Sequence, residues 1–192
     1  MSTNTFSVTR TVSRNKIVKK VGLDSSIFVA LVDDEQQYSR FTPKIFVRNN
    51  FVYVSDIVFS ETLNVLIGKR GYTEAEALDK IFGYMRSHKI SMVKSKVVGY
   101  DKVKLLVDEL KEQRKKIKEH PEDSDLKIMA LYKLGGIDCI FVVNDRHFRE
   151  LCTYLNIDVE KPIDNVNTQM RRIFGWYRSN RYKGNRKKRN RR

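Results

Sequence analysis

Four acidic residues beside apolar segments are the side chains best able to do chemistry in this sequence. They are Asp24 in V-G-L-D-S-S, Glu61 in F-S-E-T-L, Asp125 in D-L-K-I-M-A and Asp145 in F-V-V-N-D. Desolvating an unpaired carboxylate costs several kcal/mol, so acids at the edges of buried segments need positive charge nearby. A divalent metal ion supplies such charge, and the pattern therefore predicts a metal-dependent enzyme.

The class of metal follows from the other side chains that could bind one. Three scattered histidines and two cysteines give no spacing typical of a zinc site. Cys139 and Cys152 both fall in apolar stretches, which is typical of reduced cysteines in a protein core. Any metal is therefore expected to be a hard cation with oxygen ligands.

The basic residues are concentrated at the two ends of the chain. Of 38 Lys and Arg residues, 5 lie in residues 1–23 and 11 lie in residues 171–192, and neither segment contains an acid. The remaining 22 basic residues are balanced by all 23 acidic ones. A nearly neutral centre with basic ends indicates a partner that is a polyanion.

Length and hydropathy limit the cellular setting. The chain has 192 residues, 41% of them hydrophobic, which suits a single domain with a real core. No apolar run is long enough to cross a bilayer, and the N-terminus lacks the apolar stretch of a secretory signal. A cytoplasmic protein with no membrane partner is expected.

The elements that must position the acids alternate between strands and helices. Residues 17–23 are predicted to form a strand ending at Asp24, and residues 138–143 a short buried strand just before Asp145. Buried strands alternating with helices favour a three-layer α/β/α sandwich around a mainly parallel sheet. Because ligands bind at the carboxyl ends of parallel strands, both acids are expected at one edge of the sheet.

Helix signals place the other two acids. Ser55 or Asp56 is predicted to begin a helix that carries Glu61, and a helix starting near Asp123 carries Asp125. Thr73 and Glu76 form a capping box for a further helix, and residues 91–98 are predicted to be a strand. The buried stripe expected for that capped helix is Leu78, Ile81, Phe82 and Met85.

Taken singly, most of these acids also have a structural interpretation. Asp24 could cap the following helix, Asp125 could favour a helix N-terminus, and Asp145 could be a turn residue. Glu61 is the exception, because a Glu without a partner on a largely apolar helix is costly. Asp56 is assigned to a cap or to the surface.

The blocks L-D-S-S-I-F, D-I-V-F-S-E-T-L-N-V-L, D-L-K-I-M-A-L-Y-K-L-G and V-V-N-D-R-H-F together resemble the PIN-domain nucleases. The resemblance keeps the family's chain order and covers roughly residues 17–160. It implies a domain at 17–160, with a basic N-terminal extension at 1–16 and a basic C-terminal helix and tail at 161–192.

The resemblance also implies roles for individual residues. Asp24, Glu61, Asp125 and Asp145 match an acidic quartet that binds Mg2+ or Mn2+ and activates water for phosphodiester hydrolysis. Polar helpers are expected beside the acids, and Asp123 is the rival of Asp125. Two positions depart from the family pattern, which often has Thr or Ser at Val143 and a second Asp at His147. The helper candidates are Ser26, Asp123, Asn144 and His147.

The C-terminal tail interleaves basic and aromatic residues, as in segments that bind unpaired bases. The predicted nucleic-acid contacts are Arg171, Arg172, Trp176, Tyr177, Arg178, Arg181, Tyr182, Lys183, Arg186, Lys187, Lys188 and Arg189. The leading hypothesis is a metal-dependent endoribonuclease acting on RNA, with an antitoxin or a ribonucleoprotein as partner and homodimerisation as an option. The alternatives are a catalytically silent RNA-binding scaffold and a DNA-directed nuclease.

Overall fold

A five-stranded parallel sheet forms the centre of the molecule. The computed structural model describes residues 18–33, 42–47, 50–117, 121–142 and 146–160, without the side chains of 42, 43, 146 and 147. The strands in these ranges are β1 Lys19–Leu23, β2 Asn50–Ser55, β3 Ser91–Val93, β4 Cys139–Phe141 and β5 Asp158–Glu160. All neighbouring strands run parallel in the order β3-β2-β1-β4-β5. The predicted α/β fold with a parallel sheet is confirmed.

Helices cover this sheet. Their bounds are α1 Ser25–Asp33, α2 Thr42–Ile45, α3 Asp56–Arg70, α4 Glu74–Ser87, α5 Ser95–Val98, α6 Tyr100–Arg114, α7 Asp123–Leu134 and α8 Arg146–Tyr154. Helices α1, α3 and α4 pack together, and α6 packs against α7 and α8. Because crossovers between parallel strands are almost always right-handed, the strand order predicts that these two groups lie on opposite faces of the sheet. No helix in the described ranges has the length and apolarity needed to cross a membrane.

The helix that carries Glu61 is defined by strong local end signals. Ser55 has an extended backbone and its side chain accepts a hydrogen bond from the Val58 amide, which caps α3. Gly71 ends α3 with a φ of 78°, a left-handed conformation that glycine adopts without strain. The next helix, α4, begins with the predicted capping box of Thr73 and Glu76. Both helix starts are confirmed.

Three details differ from the prediction. The predicted strand at 91–98 is only β3, because Asp56 binds Ser95 and begins the short helix α5 there. Strand β5 was not predicted. In the predicted stripe of α4, Ile81 and Met85 are buried, but Leu78 is only partly buried and Phe82 is 47% exposed beside Phe59. The buried residues of α4 are Ala77, Ile81, Tyr84 and Met85.

The two cysteines lie in the core on β4 and α8. Both Cys139 and Cys152 are buried and form no disulfide. Burial raises the pKa of Cys152 to about 12 and raises that of Cys139 as well. Neither thiol is therefore suited to act as a nucleophile at neutral pH, in line with the prediction of core cysteines.

Candidate acidic site

Asp24 lies at the carboxyl end of the central strand. Its amide donates a 3.0 Å hydrogen bond to the Phe141 carbonyl at the end of β4, and its carbonyl accepts from the Phe28 amide of α1. The Asp24 carboxylate accepts from the Ser26 hydroxyl at 2.5 Å and the Ser26 amide at 3.4 Å. Asp24 thus caps α1, as its structural interpretation predicted, while its side chain stays at the edge of the sheet.

The surroundings of Asp24 oppose its negative charge. The residue is 8% exposed. Burial raises the pKa of its carboxyl above the ordinary value, and the charge of Glu61 raises it further. The hydrogen bonds from Ser26 act in the opposite direction. The surroundings of Asp24 therefore disfavour its ionised form unless positive charge is supplied.

Asp125 is the second acid with a strongly perturbed environment. It lies in the first turn of α7, and its carboxylate accepts a 2.9 Å hydrogen bond from the Glu122 amide. Burial and the negative charge of Asp24 raise the pKa of Asp125 to about 7, with smaller contributions from Glu122 and Glu61. Asp125 is thus coupled electrostatically to acids on two other elements.

Glu61 completes the group of described acids. It lies on α3, half-buried, about one and a half helical turns after Asp56. Its charge raises the pKa values of both Asp24 and Asp125. The charge of Glu61 on α3 therefore reaches both the carboxyl that follows β1 and the carboxyl in the first turn of α7.

Asp123, the rival of Asp125, lies in a different environment. It is the first residue of α7 and not its N-cap, a position that Glu122 occupies. Its carboxylate forms a 2.7 Å ion pair with Arg114, which lowers the pKa of Asp123. Asp123 is also solvent-exposed. The geometry therefore brings Asp125, and not Asp123, into the field of Asp24 and Glu61.

A buried tyrosine, which was not among the site residues predicted from the sequence, stabilises the edge of the sheet where the acids lie. The Tyr132 hydroxyl donates to the Leu23 carbonyl at 2.6 Å and accepts from the Ser55 amide at 3.2 Å. It therefore joins the carboxyl ends of β1 and β2. A Cβ at Gly22 would lie 2.8 Å from the Tyr132 ring, so only glycine leaves room for it. The glycine at position 22, two residues before Asp24, was the feature of the sequence that could have indicated this close contact.

The fourth acid lies outside the described residues. Val143, Asn144 and Asp145 follow β4 there, and the side chain of His147 is not described either. Among the residues that the structure describes, no three His, Cys, Asp or Glu side chains converge closely enough to hold a metal ion together. The quartet therefore remains a prediction, supported by three coupled carboxylates that offer only oxygen ligands.

Asp56 has the structural role assigned to it. Its carboxylate accepts hydrogen bonds from the Ser95 amide at 2.7 Å and the Ser95 hydroxyl at 2.9 Å. This pair holds the start of α5 against the start of α3. The predicted nucleic-acid contacts in residues 171–189 lie outside the described ranges.

Comparison with known proteins supports the fold. No protein-family model matches the chain, and no curated protein matches it in sequence. Solved structures that match include VapBC-1 from nontypeable Haemophilus influenzae, with a TM-score of 0.58 and 12% identity over 74% of this chain and 98% of that one. VapBC2 from Rickettsia felis, bound to a DNA fragment of its promoter, has a TM-score of 0.56, 13% identity and the same coverages.

A third similar structure is VapC20 from Mycobacterium tuberculosis, described as a toxin that cleaves the sarcin-ricin loop. Its TM-score is 0.51 and its identity 15%, over 68% of this chain and 94% of that one. At such low sequence identities, structural similarity is evidence for a shared fold and not for a shared activity. The chain has the PIN-like fold that the sequence blocks predicted.

Proposed function

We propose that this chain with a PIN-like fold is a metal-dependent endoribonuclease. Asp24, Glu61, Asp125 and Asp145 hold Mg2+ or Mn2+ and direct water onto a phosphodiester bond of RNA. The observation that carries the proposal is the grouping of Asp24, Glu61 and Asp125 at one edge of the sheet, where burial and then the charge of Asp24 raise the pKa of Asp125 to about 7. Acids arranged to repel one another are typical of a site that a cation occupies.

The side chains present suit a hard divalent ion. Mg2+ prefers carboxylate oxygens and retained waters, and the three described acids supply oxygen ligands without competing His or Cys. Such an ion, when bound, polarises the phosphate and lowers the pKa of a coordinated water. The Ser26 hydroxyl holds the Asp24 carboxylate in a fixed orientation for this purpose.

Two observations support RNA as the proposed substrate. One similar structure is described as a toxin cleaving the sarcin-ricin loop. The other is the charge distribution, since residues 1–23 and 171–192, which together contain 16 basic residues and no acid, flank a nearly neutral centre. Because other similar structures are VapBC and FitAB complexes, we include an antitoxin-like protein partner in the proposal.

The test is cleavage of an end-labelled RNA by the purified protein with Mn2+, with and without a chelator. We expect chelation to abolish cleavage and Asp24→Asn to lower kcat/KM by about a hundredfold or more, because a metal ligand is lost. Asp79→Asn, an exposed acid on α4, is the matched control and should cleave like the wild type.

Thermal unfolding of Asp24→Asn shows whether the variant is folded. Equal cleavage of RNA by folded Asp24→Asn and the wild type would contradict the proposal. Metal-independent RNA binding without cleavage would instead identify a catalytically silent scaffold. Cleavage of DNA in preference to RNA would keep the chemistry and change the substrate.

A further inference from the structure

An exposed basic segment follows strand β3. Residues 94–100, K-S-K-V-V-G-Y, contain two lysines and no acid. Lys94 and Lys96 are both exposed, Val97 is 81% exposed and Tyr100 is 66% exposed. The segment therefore presents two positive charges, an aliphatic side chain and an aromatic ring to solvent within seven residues.

The basic segment lies on the edge of the sheet that carries the acids. Lys94 directly follows β3, as Asp24 directly follows β1, and the strands are parallel. The carboxylate of Asp56, the first residue after β2, binds the Ser95 amide and hydroxyl. Neighbouring strands are about 4.8 Å apart, so the segment begins about 10 Å from the end of β1.

The Asp56 carboxylate, bound to Ser95 between the two lysines, offsets part of their positive charge. Neither Lys94 nor Lys96 forms an ion pair with any residue that the structure describes, whereas Lys111 on α6 and Lys115 at its C-terminal end pair with acids of that helix. Asp101 is the first acid after the segment and is itself exposed. The segment therefore offers positive charge to an external anion.

An exposed tyrosine four residues after Lys96 favours one kind of anion. A tyrosine ring stacks on any unpaired base, and lysines spaced along a surface neutralise successive phosphates. A lone phosphate needs no ring, and a duplex hides its base faces. The combination of charge and ring beside three acids thus fits a single strand of nucleic acid.

We propose that residues 94–100 form the surface along which the RNA strand runs beside the acidic site. Lys94 and Lys96 contact phosphates and Tyr100 stacks on a base. This inference rests on the proposed function for the identity of the strand as RNA. Asp56 acts as a positioning residue, because it fixes the segment to the helix that carries Glu61.

The test measures binding without cleavage. A fluorescein-labelled oligouridylate is titrated with the full chain in the presence of chelator at several salt concentrations, and its anisotropy is followed. For Lys94→Gln/Lys96→Gln we expect about tenfold weaker binding and a log-log salt slope smaller by about 1.4, since each lost phosphate contact on a single strand removes about 0.7.

The matched control removes two lysines at the opposite edge. Lys20 lies near the start of β1 and Lys89 in the connection entering β3, and both are exposed. Lys20→Gln/Lys89→Gln should change the affinity by less than about twofold and leave the slope unchanged. Equal loss of affinity and slope in the two double variants would overturn the inference.

Tyr100→Leu separates stacking from charge. The variant should weaken oligouridylate binding by at least about fivefold while keeping the wild-type salt slope, because no charge is lost. Unchanged affinity would overturn the stacking role. A labelled oligoglutamate that binds the wild type more tightly than the RNA, but not the double lysine variant, would assign the segment to an acidic protein partner instead.

These outcomes are independent of the cleavage assay. If Lys94→Gln/Lys96→Gln loses binding in a protein that does not cleave RNA, the surface stands and the nuclease proposal fails. If the protein cleaves RNA but the two double variants bind alike, the nuclease proposal stands and the surface fails.

Discussion

Two acids in one helical turn, Asp123 and Asp125, have opposite environments. Asp123 is exposed and paired with Arg114, which lowers its pKa, while Asp125 is half-buried near Asp24 and has its pKa raised to about 7. The resemblance to the PIN-domain nucleases assigns Asp125 to the quartet, with Asp123 as its rival. The ion pair of Asp123 with Arg114 spans nine positions and joins the end of α6 to the start of α7, so no pattern within one helix could have predicted it.

The raised pKa of Asp125 predicts how the metal-free protein responds to pH. The folded state holds the proton up to about pH 7, whereas the unfolded chain releases it near 3.8. Stability therefore falls as pH rises through this window, and the raised pKa of Asp24 acts in the same direction. Between about pH 5 and pH 8, the decline in the free energy of unfolding should be smaller by about 2 to 3 kcal/mol in Asp125→Asn than in the wild type.

The measurement is urea unfolding with chelator at several pH values. Asp123→Asn is the control two residues away, and it should leave the decline unchanged because the lowered pKa of Asp123 titrates below this window. A decline of the same size in Asp125→Asn and the wild type would contradict the assignment of the proton to Asp125.

At the scale of elements, the contact between β1 and α7 positions the acidic edge. The Tyr132 ring fills the space where Gly22 has no side chain, and its hydroxyl joins the ends of β1 and β2. The fit depends on a missing Cβ on one element and a hydroxyl on another. A sequence shows both residues but not that they meet.

Gly22→Ala is expected to destabilise the protein by about 1 to 3 kcal/mol, because the added methyl lies 2.8 Å from a buried ring. Gly83→Ala on α4 is the opposite control. No atom lies within 4 Å of its added Cβ, so it should stabilise the helix by about 0.5 to 1 kcal/mol. Urea unfolding measures both, and similar stability of the two variants would contradict the tight contact.

Local signals account for the elements that the sequence predicted correctly. The Ser55 cap, the Gly71 end and the box of Thr73 and Glu76 all act within a few residues. The errors have non-local causes. Strand β3 ends early because Asp56, distant in the sequence, caps α5 at Ser95, and the three residues of β5 pair only through β4. Asp145 lies outside the described ranges.

At the scale of the whole molecule, the excess positive charge lies in a different part of the sequence from the candidate acidic site. Residues 171–192 contain 11 basic residues and no acid, while the four candidate ligands lie between positions 24 and 145. The proposed division of roles gives catalysis to the acids and much of the RNA affinity to the tail. The two roles should therefore be separable by experiment.

Removal of residues 171–192 should raise KM for RNA and lower the salt slope by about 0.7 for each lost phosphate contact. The kcat at saturating RNA should stay near that of the full chain. A full-length variant with the 11 basic residues changed to Gln separates the effect of charge from that of length. A large fall in kcat at saturating RNA, in either variant, would place part of the tail in the chemistry.

The outer strands of the sheet have a consequence for self-association. In the described part of the chain, β3 and β5 form the two edges and are only three residues long each. Such short edges expose few unpaired backbone groups and give a second chain little to pair with. Pairing of two chains through the described strand edges is therefore disfavoured.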